Sequence, residues 1–153
     1  MTFTITRQEI ADKALSMRGV RFLHQGRSRE TGVDCVGFLA VILTEFCYPI
    51  VDVVGYRSNP PAKVIYDTLC KNFDEIPVNE VSLGDIFLMR IGGGRKPKHA
   101  SILVNDKTDL ANGVEFEIVH AYALGGRGKV VKEPLAMWRT QCVRGFRFRG
   151  LID

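Results

Sequence analysis

DCVGFLAVILTEFCY, residues 34–48, is the most informative stretch of the chain. Asp34 is a good helix N-cap, because its short carboxylate reaches the free N–H groups of the turn that follows. The run behind it is apolar on nearly every face, so it predicts a buried helix from about Cys35 to Cys47, ended by Pro49. Upstream, Thr6 and Glu9 form a capping box before Ile10, Ala11, Ala14, Leu15 and Met17, predicting a short amphipathic helix that ends near Gly19. Between the two, residues 19–34 hold Gly19, Gly26 and Gly32 among Arg, Ser and Thr. That is an irregular loop, long enough to be functional rather than merely connecting.

Downstream, Asn59, Pro60 and Pro61 mark a turn. Residues 62–73 then carry Val64, Ile65, Leu69 and Phe73 at helical spacing. Beyond them the period changes. A turn at Gly84-Asp85 feeds a strand from Ile86 to Arg90, and IGGGRKPK reads as a flexible hairpin loop. HASILV (99–104) is a second strand, EFEIVHAY (115–122) a third, and KVVKEPL, after the LGGRG turn, a fourth. GFRFRG alternates: Phe146 and Phe148 face one way and Arg147 and Arg149 the other, which reads as the solvated face of an edge strand. Helices first and strands second imply an α+β fold, with N-terminal helices packed on a C-terminal antiparallel sheet.

The whole chain, residues 1–153, reads as one domain. Hydrophobic residues make 46% and charged residues 25%, the balance of a soluble globular protein rather than a disordered or fibrous one. No apolar run reaches the ~18 residues that span a bilayer, so no membrane partner is expected. A net charge of +4 favours an anionic surface. There is no aromatic platform or motif for nucleic acid, so that partner is not expected either. MTFTITRQEIADKALSM lacks the basic and apolar regions of a secretory signal, and synthesis in the cytoplasm is expected.

Four cysteines, Cys35, Cys47, Cys70 and Cys142, are widely spaced with no C-x-x-C pair, which argues for free thiols and against structural zinc. Cys35 stands apart. It falls in the first turn of the buried helix, where peptide N–H groups and the helix dipole lower a thiol's pKa and favour thiolate. A catalytic thiolate also needs a base and a group that orients the base. The chain has three histidines, His24, His99 and His120. His99 and His120 sit on neighbouring strands, which bring them together if the register agrees. A cysteine at a helix start facing a histidine on a packed sheet is a papain-like layout. From spacing alone, Cys35 reads equally well as a small buried hydrophobe, and each histidine as a structural one. A metal site built from Cys35, His99 and His120 has no supporting spacing.

GVRFLHQGRSRETGVDCVGFL, LGDIFLMR, KHASILV and IVHAY, in that order, resemble the NlpC family of bacterial cell-wall cysteine peptidases, and within it the branch associated with phages and gene-transfer agents. The resemblance runs from about residue 10 to the C-terminus. It implies a papain-like fold and cleavage of amide bonds in peptidoglycan stem peptides, typically D-γ-glutamyl-diaminopimelate, through a thioester. It implies no metal or cofactor. Position by position it makes Cys35 the nucleophile, His99 the base, His120 the residue that orients the base, and Asp34 the partner of a substrate amine. His24 and Gln25 match a pair frequent in the phage branch and are expected to line the site. Phe22 stands where many members have a tyrosine whose hydroxyl lies near the cysteine, and Val36 where many have serine. The resemblance further suggests action at the cell wall after delivery by a phage-tail or tail-like particle. The competing expectation is an assembly component of such a particle with the same fold and little catalysis.

Overall fold

The structure is a computed structural model describing residues 4–53, 55–56, 61–124 and 127–152, without the side chains of Leu124 and Arg127. Helix α1 is Arg7–Ser16. Its start is the expected capping box: the Thr6 hydroxyl accepts from the Glu9 N–H, and the Glu9 carboxylate accepts from the Thr6 N–H at 2.8 Å. A short hairpin follows, β1 (Arg27–Ser28) and β2 (Gly32–Val33), inside the loop expected to be irregular. Helix α2 is Cys35–Glu45, and α3 is Ala62–Asn72. Of the predicted turn at 59–61, Asn59 and Pro60 lie outside the described residues, as do Gly125 and Gly126 of the LGGRG turn.

The remaining strands are β3 (Asp74–Ile76), β4 (Ile86–Met89), β5 (His99–Asn105), β6 (Glu117–Leu124), β7 (Arg127–Pro134) and β8 (Cys142–Arg147). They form one antiparallel sheet in the order β3-β8-β4-β5-β6-β7. The α+β expectation therefore holds. Strand alternation explains the layering. Ile86 and Leu88 of β4, with Ala100, Ile102 and Val104 of β5, join Phe38 and Ile42 of α2 in the main core. Phe87, Met89 and Leu103 point the other way, into a smaller core closed by Leu135 and Trp138. Each fully buried Ile, Leu or Phe contributes about 1.5–3 kcal/mol of transfer free energy. Both faces of β4 and β5 are thus covered, which holds the start of β5 in place.

One expectation is corrected. The C-terminal strand is not an edge: β8 lies between β3 and β4, because Asp74–Ile76 supplies a strand too short and polar to read from sequence. Phe146 and Phe148 are buried as expected, but the arginines opposite them are not merely solvated. Arg147 pairs at 2.7 Å with Asp85, which is fully buried, and Arg149 pairs with Asp74 at 3.1 Å.

Candidate active site

Asp34 caps α2 as expected, accepting the Gly37 N–H at 2.8 Å. Gly37 is required for a steric reason: a Cβ there would overlap the carbonyl oxygen of Gly26. The hairpin loop can therefore lie against the first turn of α2. With Gly37 capped by Asp34, the N–H groups of Cys35 and Val36 are the first-turn donors directed at the Cys35 sulfur. The sulfur lies 3.9 Å from the carbonyl oxygen of Lys98, against the start of β5.

Cys35 and His99 line one cavity of about 510 Å³. The far wall is set by strand register. Ile102 pairs with Val119 and Leu103 with Ile118, and this alignment puts His99 and His120 on the same face. His99 Nε2 lies 2.7 Å from His120 Nδ1. His120 Nε2 lies 2.6 Å from Glu133 Oε1, contributed by β7. Tyr122 stacks on the His120 ring at 5.4 Å and Trp138 meets it edge-on at 5.2 Å, so the imidazole is held on several sides. The order Cys35, His99, His120, Glu133 thus runs from cavity to sheet.

The hydrogen bonds assign the tautomers. A carboxylate only accepts, so His120 Nε2 carries its proton and His120 Nδ1 is a lone pair. His99 Nε2 must then donate to it, which leaves His99 Nδ1 as the acceptor nitrogen, on the ring that lines the cavity with Cys35. Burial, helped by His120, holds the His99 pKa well below the usual value, so the ring is neutral at pH 7. Burial also lowers His120, opposed by Glu133.

The thiol departs from expectation. Burial pushes Cys35 up to about 12, and the Asp34 charge adds to this. The N–H groups of Ala100, Val36 and Cys35 pull the other way and are outweighed. The helix start was expected to favour thiolate. In the folded chain burial and the nearby capping carboxylate instead favour the neutral thiol.

Asp34 also differs from its expected role. It lines the cavity but is 4% exposed, and four donors occupy its two oxygens. Oδ1 takes the Gly37 N–H and Arg27 Nη1 at 3.1 Å, and Oδ2 takes the Gln25 N–H at 2.8 Å and the Tyr56 hydroxyl. A carboxylate offers about four lone-pair sites, so none remains for a substrate ammonium. Asp34 instead ties three segments together. Arg27 reinforces this with Asp52 at 2.8 Å and the Tyr56 hydroxyl at 2.9 Å.

Phe22 and His24 line the cavity. Gln25 serves the loop instead: its amide donates to the Tyr56 carbonyl at 2.7 Å and its oxygen accepts the Gly55 N–H at 2.9 Å. Sequence reasoning missed Glu133, Arg27 and Tyr56. Glu133 lies two residues from Val131, the cross-strand partner of His120, so finding it needs the register of β6 against β7. Tyr56 sits in a loop with no pattern to announce it. Among the described residues no group of three or more His, Cys, Asp or Glu side chains is placed to hold a metal ion.

No family model matches the sequence, and neither does any curated protein. Solved structures do match. A Staphylococcus aureus protein described as similar to a lipoprotein of the NLP/P60 family superposes with a TM-score of 0.62 at 19% identity, over 96% of this chain and 42% of that one. The NlpC/p60 domain of the peptidoglycan hydrolase SagA gives 0.62 at 17% identity, over 94% of this chain and all of that one. This chain has the NlpC/P60 fold. NlpC2 from Trichomonas vaginalis has it too, at a TM-score of 0.60 and 14% identity, with 93% of this chain covering 46% of that protein. The chain is therefore similar in extent to one NlpC/P60 domain and spans under half of the longer relatives.

Proposed function

We propose that the chain is a cysteine peptidase that hydrolyses amide bonds in peptidoglycan stem peptides. One observation carries the reading: Cys35 shares a cavity with His99, whose ring heads a relay through His120 to Glu133 at 2.7 and 2.6 Å. A structural protein has no need to bury two histidines in line with a carboxylate behind a cysteine. That SagA, with the same fold, is a peptidoglycan hydrolase supports the substrate class. The finer assignments rest on sequence resemblance: D-γ-glutamyl-diaminopimelate as the bond, the phage-associated branch, and delivery to the wall by a tail-like particle.

In the proposed mechanism the Cys35 proton passes to His99 Nδ1 as the sulfur attacks the amide carbonyl carbon. The relay fixes that nitrogen as the acceptor before substrate arrives. The N–H groups of Cys35 and Val36 stabilise the oxyanion of the tetrahedral intermediate. Val36 thus supplies the second donor through its backbone, whatever its side chain. The intermediate collapses as His99 returns the proton to the leaving nitrogen, and the amine departs from a Cys35 thioester. His99 then takes a proton from water, the hydroxide attacks the thioester, and the acid and free thiol are released. His120 and Glu133 hold the tautomer and steady the transient imidazolium without leaving their strands. Phe22 and His24 shape the cavity. The test is mass spectrometry of purified peptidoglycan fragments after incubation with the protein. New stem-peptide fragments cut at one amide bond are expected; intact fragments overturn the reading.

A further inference from the structure

Two aromatic rings wrap the relay from behind, and neither lines the cavity. Tyr122 follows His120 by two residues on β6, so both side chains leave the same face of the strand. Its ring is tilted only 15° from the His120 imidazole, with centroids 5.4 Å apart. It also meets the His99 ring edge-on at 6.3 Å. Trp138, between β7 and β8, closes the group: its ring stands at 78° to His120 and at 77° to Tyr122. Trp138 Nε1 is buried and meets no acceptor among the described residues. A buried donor without an acceptor costs its desolvation, so this indole is placed for what its ring touches rather than for a hydrogen bond. The titratable groups facing His120 are His99 from β5 and Glu133 from β7, while Cys142 of β8 lies against the Trp138 carbonyl.

When His99 takes the Cys35 proton, one positive charge is held between the two imidazoles. Glu133 favours that charge from one end, and burial opposes it. The face of an aromatic ring is its negative side and attracts a cation within about 6 Å of its centre. We infer that Tyr122 is a positioning residue of the relay: its ring stabilises the imidazolium shared by His99 and His120, and Trp138 clamps the Tyr122 and His120 rings in that geometry. The inference rests on the amide-hydrolase reading and extends it to a side chain outside the cavity. A ring that acts only through the histidines changes turnover and leaves substrate binding alone.

Trp138 is the only tryptophan of the chain, and its ring lies 5.2 Å from His120. A protonated imidazole quenches the emission of an adjacent indole, so fluorescence reads the charge on His120. Y122F keeps an electron-rich ring face. The same substitution made with pentafluorophenylalanine keeps the shape and makes the face positive. On acidification the emission of Y122F should fall with the midpoint of the unaltered protein. The fluorinated protein should reach its midpoint about one pH unit lower, because the charged ring has lost its support. On muropeptides its kcat should fall about tenfold with KM unchanged, and Y122F should keep most of the rate. Melting curves show that each protein is folded at the pH used, and if the fluorinated protein does not fold, Y122L makes the same comparison. Equal midpoints for Y122F and the ring-altered protein overturn the inference. So does emission that ignores pH until the protein unfolds, or a rate loss carried by KM. The titration needs no substrate, so it stands apart from the hydrolase reading, which is judged by the fragments that the unaltered protein releases.

Discussion

The cleft has two walls, built in different ways. The sheet wall places His99, His120 and Glu133 by strand register: three residues on three adjacent strands, each a short hydrogen bond from the next. The helix wall places Cys35 by a web of charge: Asp34 at the head of α2, bound by Arg27, Tyr56 and Gln25 from two separate loops. Each wall has a carboxylate near its reactive group. Glu133 hydrogen-bonds a ring and sets which nitrogen accepts a proton. Asp34, next to the nucleophile in sequence, holds backbone and a guanidinium and raises the thiol it adjoins. Proximity in sequence is therefore a poor guide to which acid serves chemistry. What an acid's oxygens already accept is the better one.

That contrast can be tested by breaking each wall in turn. H99A removes the proton acceptor, and kcat should fall by about 10²–10⁴ while thermal unfolding changes little. R27A should do the opposite. It strands the buried Asp34 charge, so denaturant unfolding should show a loss of about 3–5 kcal/mol. If R27A instead leaves stability intact, the charge web is not what holds the helix wall.

E133Q tests the sheet wall more finely. An amide can donate to His120 as well as accept from it, so the tautomers lose their bias. A fall in kcat of about 10- to 100-fold is expected with KM nearly unchanged, less than when the carboxylate bonds the base directly. E133D should recover part of the rate. An E133Q protein of full activity would remove Glu133 from the relay.

The smallest effect concerns the resting thiol. With Cys35 raised to about 12, iodoacetamide at pH 7 should label it no faster than the exposed Cys47. Fast, selective labelling would mean a resting thiolate. The His99 pKa lies below its usual value of 6.5, so activity should hold through neutral pH. It should fall as acid drives the pH through that lowered value and protonates the acceptor. Folding follows the same sign: the unfolded histidine binds its proton more readily, so stability declines as pH drops below about 6.5.

How much of this was legible in the sequence follows from the same two walls. Capping chemistry and period are local, so Thr6, Asp34 and strands β4 to β7 could be read directly. The histidine pair followed from alternation on neighbouring strands. Glu133 needed the register of β6 against β7, which only the sheet supplies. The β3 strand, Asp74–Ile76, is three residues with no apolar alternation, and missing it turned β8 into an edge. On the helix wall the reading failed for a different reason. Arg27, Gln25 and Tyr56 meet Asp34 across up to 22 residues of chain, through irregular segments that have no period. The thiol's upward shift came from burial, and no spacing rule reports how dry a helix start will be.

The most direct test is the cleavage rate of purified muropeptides by C35A against the unaltered protein, with melting curves to show that both are folded. A folded C35A protein that releases no stem-peptide fragments is the expected result. A C35A protein that cuts the same bond at the same rate would contradict the account.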